Sequence, residues 1–280
     1  MTQINFESKN EVPSSLVQAG IITKYALLDY IRSRRFFIML AITVLIGVLL
    51  TVLVGYYRPS RFLSSELSFY NGWWGNTAFY VVVLSGIFFG GDAISGEFQN
   101  KTGYFGVPNP IRRSSIYVGK WLAAFIASGV ILGIFTAITL GNGLYYFSGV
   151  PIEFAESLLF ALFFLVATLG FTFFFSSVFK SSSMSILVTA ILFLFAFSLI
   201  QELIAALVQI EPWFIITYGS QIIGNVLTSP YPQHQITQTA GPLTLTSFNA
   251  TIPEGLAIMA AYFIVTVILG LILFEIKEFN

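Results

Sequence analysis

Few residues in this chain have the type and spacing that chemistry requires. The single histidine, His234, lies in a Pro/Gln/Thr-rich stretch and reads as an ordinary loop residue. There is no cysteine, so thiolate chemistry and disulfides are excluded. No H-E-x-x-H, no Cys/His cluster and no close pair of acids inside an apolar run is present, so no catalytic or metal site is legible. Gly119-Lys120 lacks both the upstream glycine and the following Ser or Thr of a phosphate-cradling G-x-x-x-x-G-K-[ST] loop. The chain therefore reads as no enzyme, with no cofactor of its own. One acid, Glu202 beside Gln201, stands well inside an apolar run. A carboxylate there is costly and faces a cavity or a partner. It either lines a wet vestibule, snorkels to the nearer interface, or pairs with Arg58 or Arg61.

The elements that must position these residues are long and apolar. Of 280 residues, 56% are hydrophobic and 9% charged, against about 25% charged in soluble domains. Net charge is zero, which gives no case for nucleic-acid binding. Runs of roughly 20 apolar residues suffice to cross a bilayer. Six occur: about Phe36–Tyr56, Trp74–Gly91, Trp121–Phe147, Ser157–Phe179, Met184–Val208 and Leu256–Phe274. The fold class is thus all-α integral membrane. Residues 1–20 form a polar N-terminal segment with no cleavable signal pattern, and residues 21–280 a single six-helix transmembrane domain. Before span one, "IITKYALLDYIRSRRFF" reads as an interfacial elbow helix or as a basic flank that only fixes topology.

Charge sets the orientation. With the N-terminus inside, the inner segments carry Lys9, Lys24, Arg32, Arg34, Arg35, Lys101, Arg112, Arg113, Lys120, Lys180 and Lys277, and the outer segments only Arg58 and Arg61. Both termini are expected in the cytoplasm and the protein in the cell membrane. The long segment 209–255, without Lys or Arg, is then the outer loop. It opens with apolar residues at helical spacing, which suggests a short re-entrant or interfacial helix. Its remainder reads as a polar, turn-rich loop. Asn249, in Asn-Ala-Thr, is a glycosylation candidate there; Asn100, in Asn-Lys-Thr, lies inside and should stay bare. Small residues recur at four-residue spacing, Gly86 and Gly90 in span two and Gly133, Ala137 and Gly141 in span three, as at close helix contacts.

One inner segment stands apart: "DAISGEFQNKTGYFGVPNPIRRSSIYVGK", residues 92–120. Its first residues continue span two, Pro108 and Pro110 stop any helix, and Tyr104, Phe105 and Val107 are apolar side chains on a charged elbow. Such side chains either anchor a soluble partner or pack against the membrane interface.

This stretch resembles the cytoplasmic signature of ABC transporter permeases of the type-2 export family. Asp92, Glu97, Thr102, Pro110, Arg113, Gly119 and Lys120 fall in its register. Lys101 stands where that family usually has Gly, and Tyr104, Phe105 and Val107 replace its usual leucines. The lead-in before span one resembles the family's elbow helix, and the layout of spans agrees along the whole chain. The resemblance implies a coupling elbow between spans two and three that contacts a separate cytoplasmic ABC ATPase. Asp92, Glu97, Thr102, Tyr104, Phe105, Pro110, Arg113 and Lys120 would carry that coupling. It implies two ATPase copies, which hold the ATP and Mg, and a second permease subunit. It also implies that spans two and five line the translocation path, which points Glu202 toward a cavity. The alternative is a self-sufficient secondary transporter or channel, which would show more intramembrane ionisable groups or broken helices in matched halves.

Overall fold

The computed structural model describes residues 14–99, 112–240 and 243–277. A leading helix, Ser15–Arg32, precedes six helices long and apolar enough to cross a membrane: Arg34–Tyr57, Glu66–Gln99, Arg113–Phe147, Ile152–Val178, Ser182–Val208 and Ile252–Ile276. These are spans one to six. Each is longer than its apolar run, because the helical hydrogen bonding continues into polar flanks. Span three gains its first two turns, starting at Arg113 rather than Trp121.

Local sequence sets the boundaries. Ser33 caps span one, its hydroxyl accepting from the Phe36 amide at 3.3 Å, and so separates it from the leading helix. Pro151 immediately precedes span four. Span six opens with a reciprocal capping box between Thr251 and Glu254 and carries a proline in its first turn. Spans three and five end in residues with left-handed backbone, Ser148 and Gln209.

Spans two and four form the buried centre. Phe69, Trp73, Trp74, Val81, Val82 and Phe89 of span two are inaccessible, as are Phe164, Leu165 and Phe173 of span four. Trp74 stacks on Phe135 of span three at 5.6 Å and meets Phe154 of span four edge-on at 5.1 Å. Its indole nitrogen donates to the Ser157 hydroxyl at 2.9 Å, and that hydroxyl donates to the Ile223 carbonyl. The polar atoms of Trp74 and Ser157 are thus satisfied where no water competes. Spans one and five are peripheral, with long rows of exposed Leu, Ile, Val and Phe suited to lipid.

The two small-residue rows behave differently. A side chain at Gly86 or Gly90 would run into Thr168 or Thr172 of span four, so this row is the close contact that joins the buried pair. Gly133 and Gly141 face open space. At Gly119 a Cβ would sit 2.8 Å from the Ala19 carbonyl oxygen and from Ile22, so glycine lets the leading helix lie against span three.

Between spans five and six the chain folds inward as two short helices, Ile216–Ser220 and Ile222–Asn225, with Ile216, Tyr218, Ile222 and Ile223 fully buried. The stretch read as a polar loop forms an antiparallel hairpin instead. Strand β1 (Gln235–Ala240) pairs with β2 (Leu243–Phe248), from Gln235 opposite Phe248 to Ala240 opposite Leu243. Alternating Thr with Ile and Leu on either side of Gly-Pro carries that signal.

Candidate functional site

The charged end of the bundle is a fastening of every span to the segment 92–120. Span two reaches a turn at residues 91–94 and resumes as a short helix, Ser95–Gln99. Asp92, in the turn, accepts from Arg35 of span one at 2.5 Å. The Ser176 hydroxyl of span four accepts from the amides of Ile94 and Ser95, both at 2.9 Å. Lys120 of span three donates to the Ala93 carbonyl at 2.9 Å and forms an ion pair with Glu97. The Gln99 side chain accepts from the Ser182 amide at 2.8 Å, at the start of span five.

The far flank is tied as firmly. Arg113, the first residue of span three, donates to the carbonyls of Phe274, Glu275 and Lys277 at 3.3, 2.9 and 2.9 Å. These are carbonyls that the end of a helix leaves without intrahelical partners, and a cation there also meets the negative end of the helix dipole. Lys277 repeats the device on span four, donating to the carbonyls of Ser177, Val178 and Phe179. Its ammonium also lies 4.4 Å from the Phe98 ring centre. Burial first, and Lys180 second, push the Lys277 amine down to about 8.

The leading helix closes this end. Tyr30 donates to the Phe89 carbonyl at 2.7 Å, Thr23 to the Gly119 carbonyl at 3.1 Å, and Gln18 accepts from the Arg112 amide at 3.2 Å. Of the residues singled out in the signature, Asp92, Glu97, Arg113 and Lys120 are thereby fixed against other spans. Thr102, Tyr104, Phe105 and Pro110 lie outside the described residues, as does Asn100. Arg113 and Lys277 as caps, and Ser176 as a clamp, were not singled out. A basic residue at a helix end is a weak sign of a cap, but which helix it serves is a tertiary fact.

At the opposite end, spans two and five and the short inward helices enclose a polar cavity of about 560 Å³. Glu202 lines it with Asn71, Gln201, Gln221 and Asn225. A neighbouring recess of about 330 Å³ shares Gln201, Glu202 and Gln221 and is floored by β2. Both walls are irregular where the cavity forms. Span two widens into a π turn at Asn71–Gly75, and span five into two, Leu192–Ala196 and Ile204–Val208, on either side of Glu202. Asn71 donates to the Gly224 carbonyl and the Thr228 hydroxyl, and Thr217 to Gln201 at 2.8 Å. Among the described residues Glu202 makes no ion pair. Asn249 also borders the cavity, its amide donating to the Gln233 carbonyl at 2.8 Å, so a glycan there would have to release that bond.

A bundle of six membrane-length helices, with a polar cavity at one end and charged ties at the other, has the architecture of a membrane permease. The family described as ABC-2 family transporter protein matches residues 21–279, and the chain belongs to that family of ABC transporter permeases. No curated protein matches the chain.

Proposed function

We propose that this chain is the membrane-spanning subunit of an ATP-driven exporter. It takes its energy from a separate cytoplasmic ABC ATPase that docks on the elbow between Gln99 and Arg112. The observation that carries this reading is the fastening of that elbow. Its two flanks are hydrogen-bonded or ion-paired to spans one, three, four, five and six. A displacement applied between those flanks must move helices across the whole bundle, because packed helices shift as units. A loop that merely connected two spans would have no need of such ties. The elbow and both chain termini face the cytoplasm in this reading, on the eleven-to-two distribution of basic residues between the two sides. A second permease copy and two ATPase subunits complete the transporter.

The cavity around Glu202 serves as the outer part of the path. Spans two and five wall it, and their π turns are places where a helix changes register at low cost. Glu202→Gln should leave expression and thermal stability close to the parent and change transport several-fold, with substrate-stimulated ATPase activity following it. Unchanged transport with reduced stability would remove Glu202 from the path.

Affinity purification of the full chain from its native membrane tests the central reading. An ABC ATPase should come with it at one copy per permease chain, and ATP hydrolysis should drive transport in proteoliposomes. Transport driven by an ion gradient with no ATPase bound would make the chain a secondary transporter and sink the proposal.

A further inference from the structure

Three residues that are distant in sequence meet beside the outer cavity: Glu211 after span five, His234 before β1, and Glu254 in the first turn of span six. One ligand atom from each lies within 4.8 Å of the other two. We propose that Glu211, His234 and Glu254 bind a divalent transition-metal ion, Zn²⁺ by preference, which staples the outer loop to the start of span six.

Each ligand is held by a bond that leaves metal-binding capacity free. His234 Nδ1 lies 3.0 Å from the Asn249 carbonyl. A carbonyl can only accept, so Nδ1 carries a proton, and in the neutral ring Nε2 is the nitrogen with the lone pair. This is the outer hydrogen bond that metal-ligating imidazoles use to fix tautomer and ring plane. Nε2 then stands 3.5 Å from Glu211 Oε2. Two ligands at about 2.1 Å from a tetrahedral zinc lie roughly 3.4 Å apart, so that spacing fits an ion between them. Glu211 is oriented through its other oxygen, Oε1, which accepts from the Tyr218 hydroxyl at 2.8 Å. Glu254 is oriented by the capping box, with Oε2 accepting from the Thr251 amide at 2.9 Å. The same oxygen lies 3.9 Å from His234 Nδ1, and a carboxylate has lone pairs to spare for an ion beside that bond.

The donor set selects the ion. One imidazole and two carboxylates suit zinc, while magnesium and calcium favour oxygen alone. Three protein ligands leave a fourth position for water. The site is partly open, with His234 42% exposed, so an ion can enter from solvent. Bound there, it would tie Glu211 and the hairpin's entry to the segment through Asn249 that borders the cavity. It would thus set how far that wall can move.

The sequence makes the test clean, since the chain has one histidine and no cysteine. Full-length protein without a histidine tag, stripped with chelator in detergent, is titrated with Zn²⁺ alone. One equivalent per chain should bind, and unfolding should rise by roughly 5 °C when Zn²⁺ is 100-fold above its Kd. His234→Gln and Glu211→Gln should each weaken binding at least tenfold and remove the rise, whatever their starting stability. Glu156→Gln, a carboxylate on span four, should change neither. On the parent protein, the single histidine's ring signals should shift with the first equivalent of Zn²⁺. Absence of saturable binding to the parent, unmoved ring signals, or binding that survives His234→Gln would overturn the site. In that case the cluster is a hydrogen-bonded or ionic clasp without metal.

Discussion

Phe105→Asp should strip the ATPase from the purified complex, lowering its recovery at least tenfold while the permease still folds. Phe105 belongs to the apolar run between Gly103 and Pro108, in the stretch 100–111 that lies outside the described residues. An aromatic anchor buried in a partner's cleft is commonly worth about 2 kcal/mol or more, and a carboxylate in its place adds the cost of desolvating a charge. About 2 kcal/mol is roughly thirtyfold in affinity. The spans should be untouched, because the neighbouring bonds at Gln99 and Arg112 do not pass through Phe105. Recovery is read by quantitative blotting of affinity-purified complex, and folding by thermal unfolding of the same sample. If Phe105→Asp holds the ATPase as the parent does and transports normally, Phe105 does not grip a partner.

The membrane helices were legible because lipid imposes one simple rule: roughly 20 apolar residues, all backbone groups paired within the segment. Arg113 to Lys120 is polar, yet it is the first part of span three, because Arg113 finds acceptors on span six and Lys120 on the turn near the end of span two. The hairpin escaped because its strands carry Thr on alternate positions and little charge, and such a pattern also suits a solvated loop.

The site divides in the same way. Glu202 was recognisable alone, since a single acid in an apolar run needs a wet surface, and it does border a polar cavity. His234 was read as an ordinary loop residue, because nothing local distinguishes it. Its neighbours Glu211 and Glu254 are some twenty residues away on either side, and only the folding back of the hairpin unites the three. Likewise Arg113 could be assigned to the coupling segment by its register, but its bonds to the end of span six depend on where that helix stops.

The Glu97–Lys120 pair distinguishes a fold that is merely held together from one that transmits motion. Both side chains are largely buried, at 23% and 20% exposed, and the pair joins the short helix that ends span two to span three across the elbow. Lys120→Met leaves Glu97 without this partner and takes a donor from the Ala93 carbonyl, which should cost about 2 kcal/mol. Glu97→Gln should cost less, about 1 kcal/mol, since the amide oxygen still accepts from Lys120. The double variant should be less destabilised than the two costs summed, since each single change already removes the same attraction between the two side chains. A structural tie alone predicts that transport falls only as far as folded protein falls. A transmitting tie predicts more: in the Lys120→Met complex, at a temperature where it is fully folded and the ATPase is bound, ATP hydrolysis should continue while transport per ATP drops at least tenfold. Reversing the pair as Glu97→Lys with Lys120→Glu should recover part of that coupling, because the attraction across the elbow is restored even though the Ala93 carbonyl loses its donor. Equal losses of hydrolysis and transport, with no recovery on reversal, would confine the pair to stability. The force path would then run through the remaining ties, of which the Ser176 clamp on the amides of Ile94 and Ser95 is the most deeply buried.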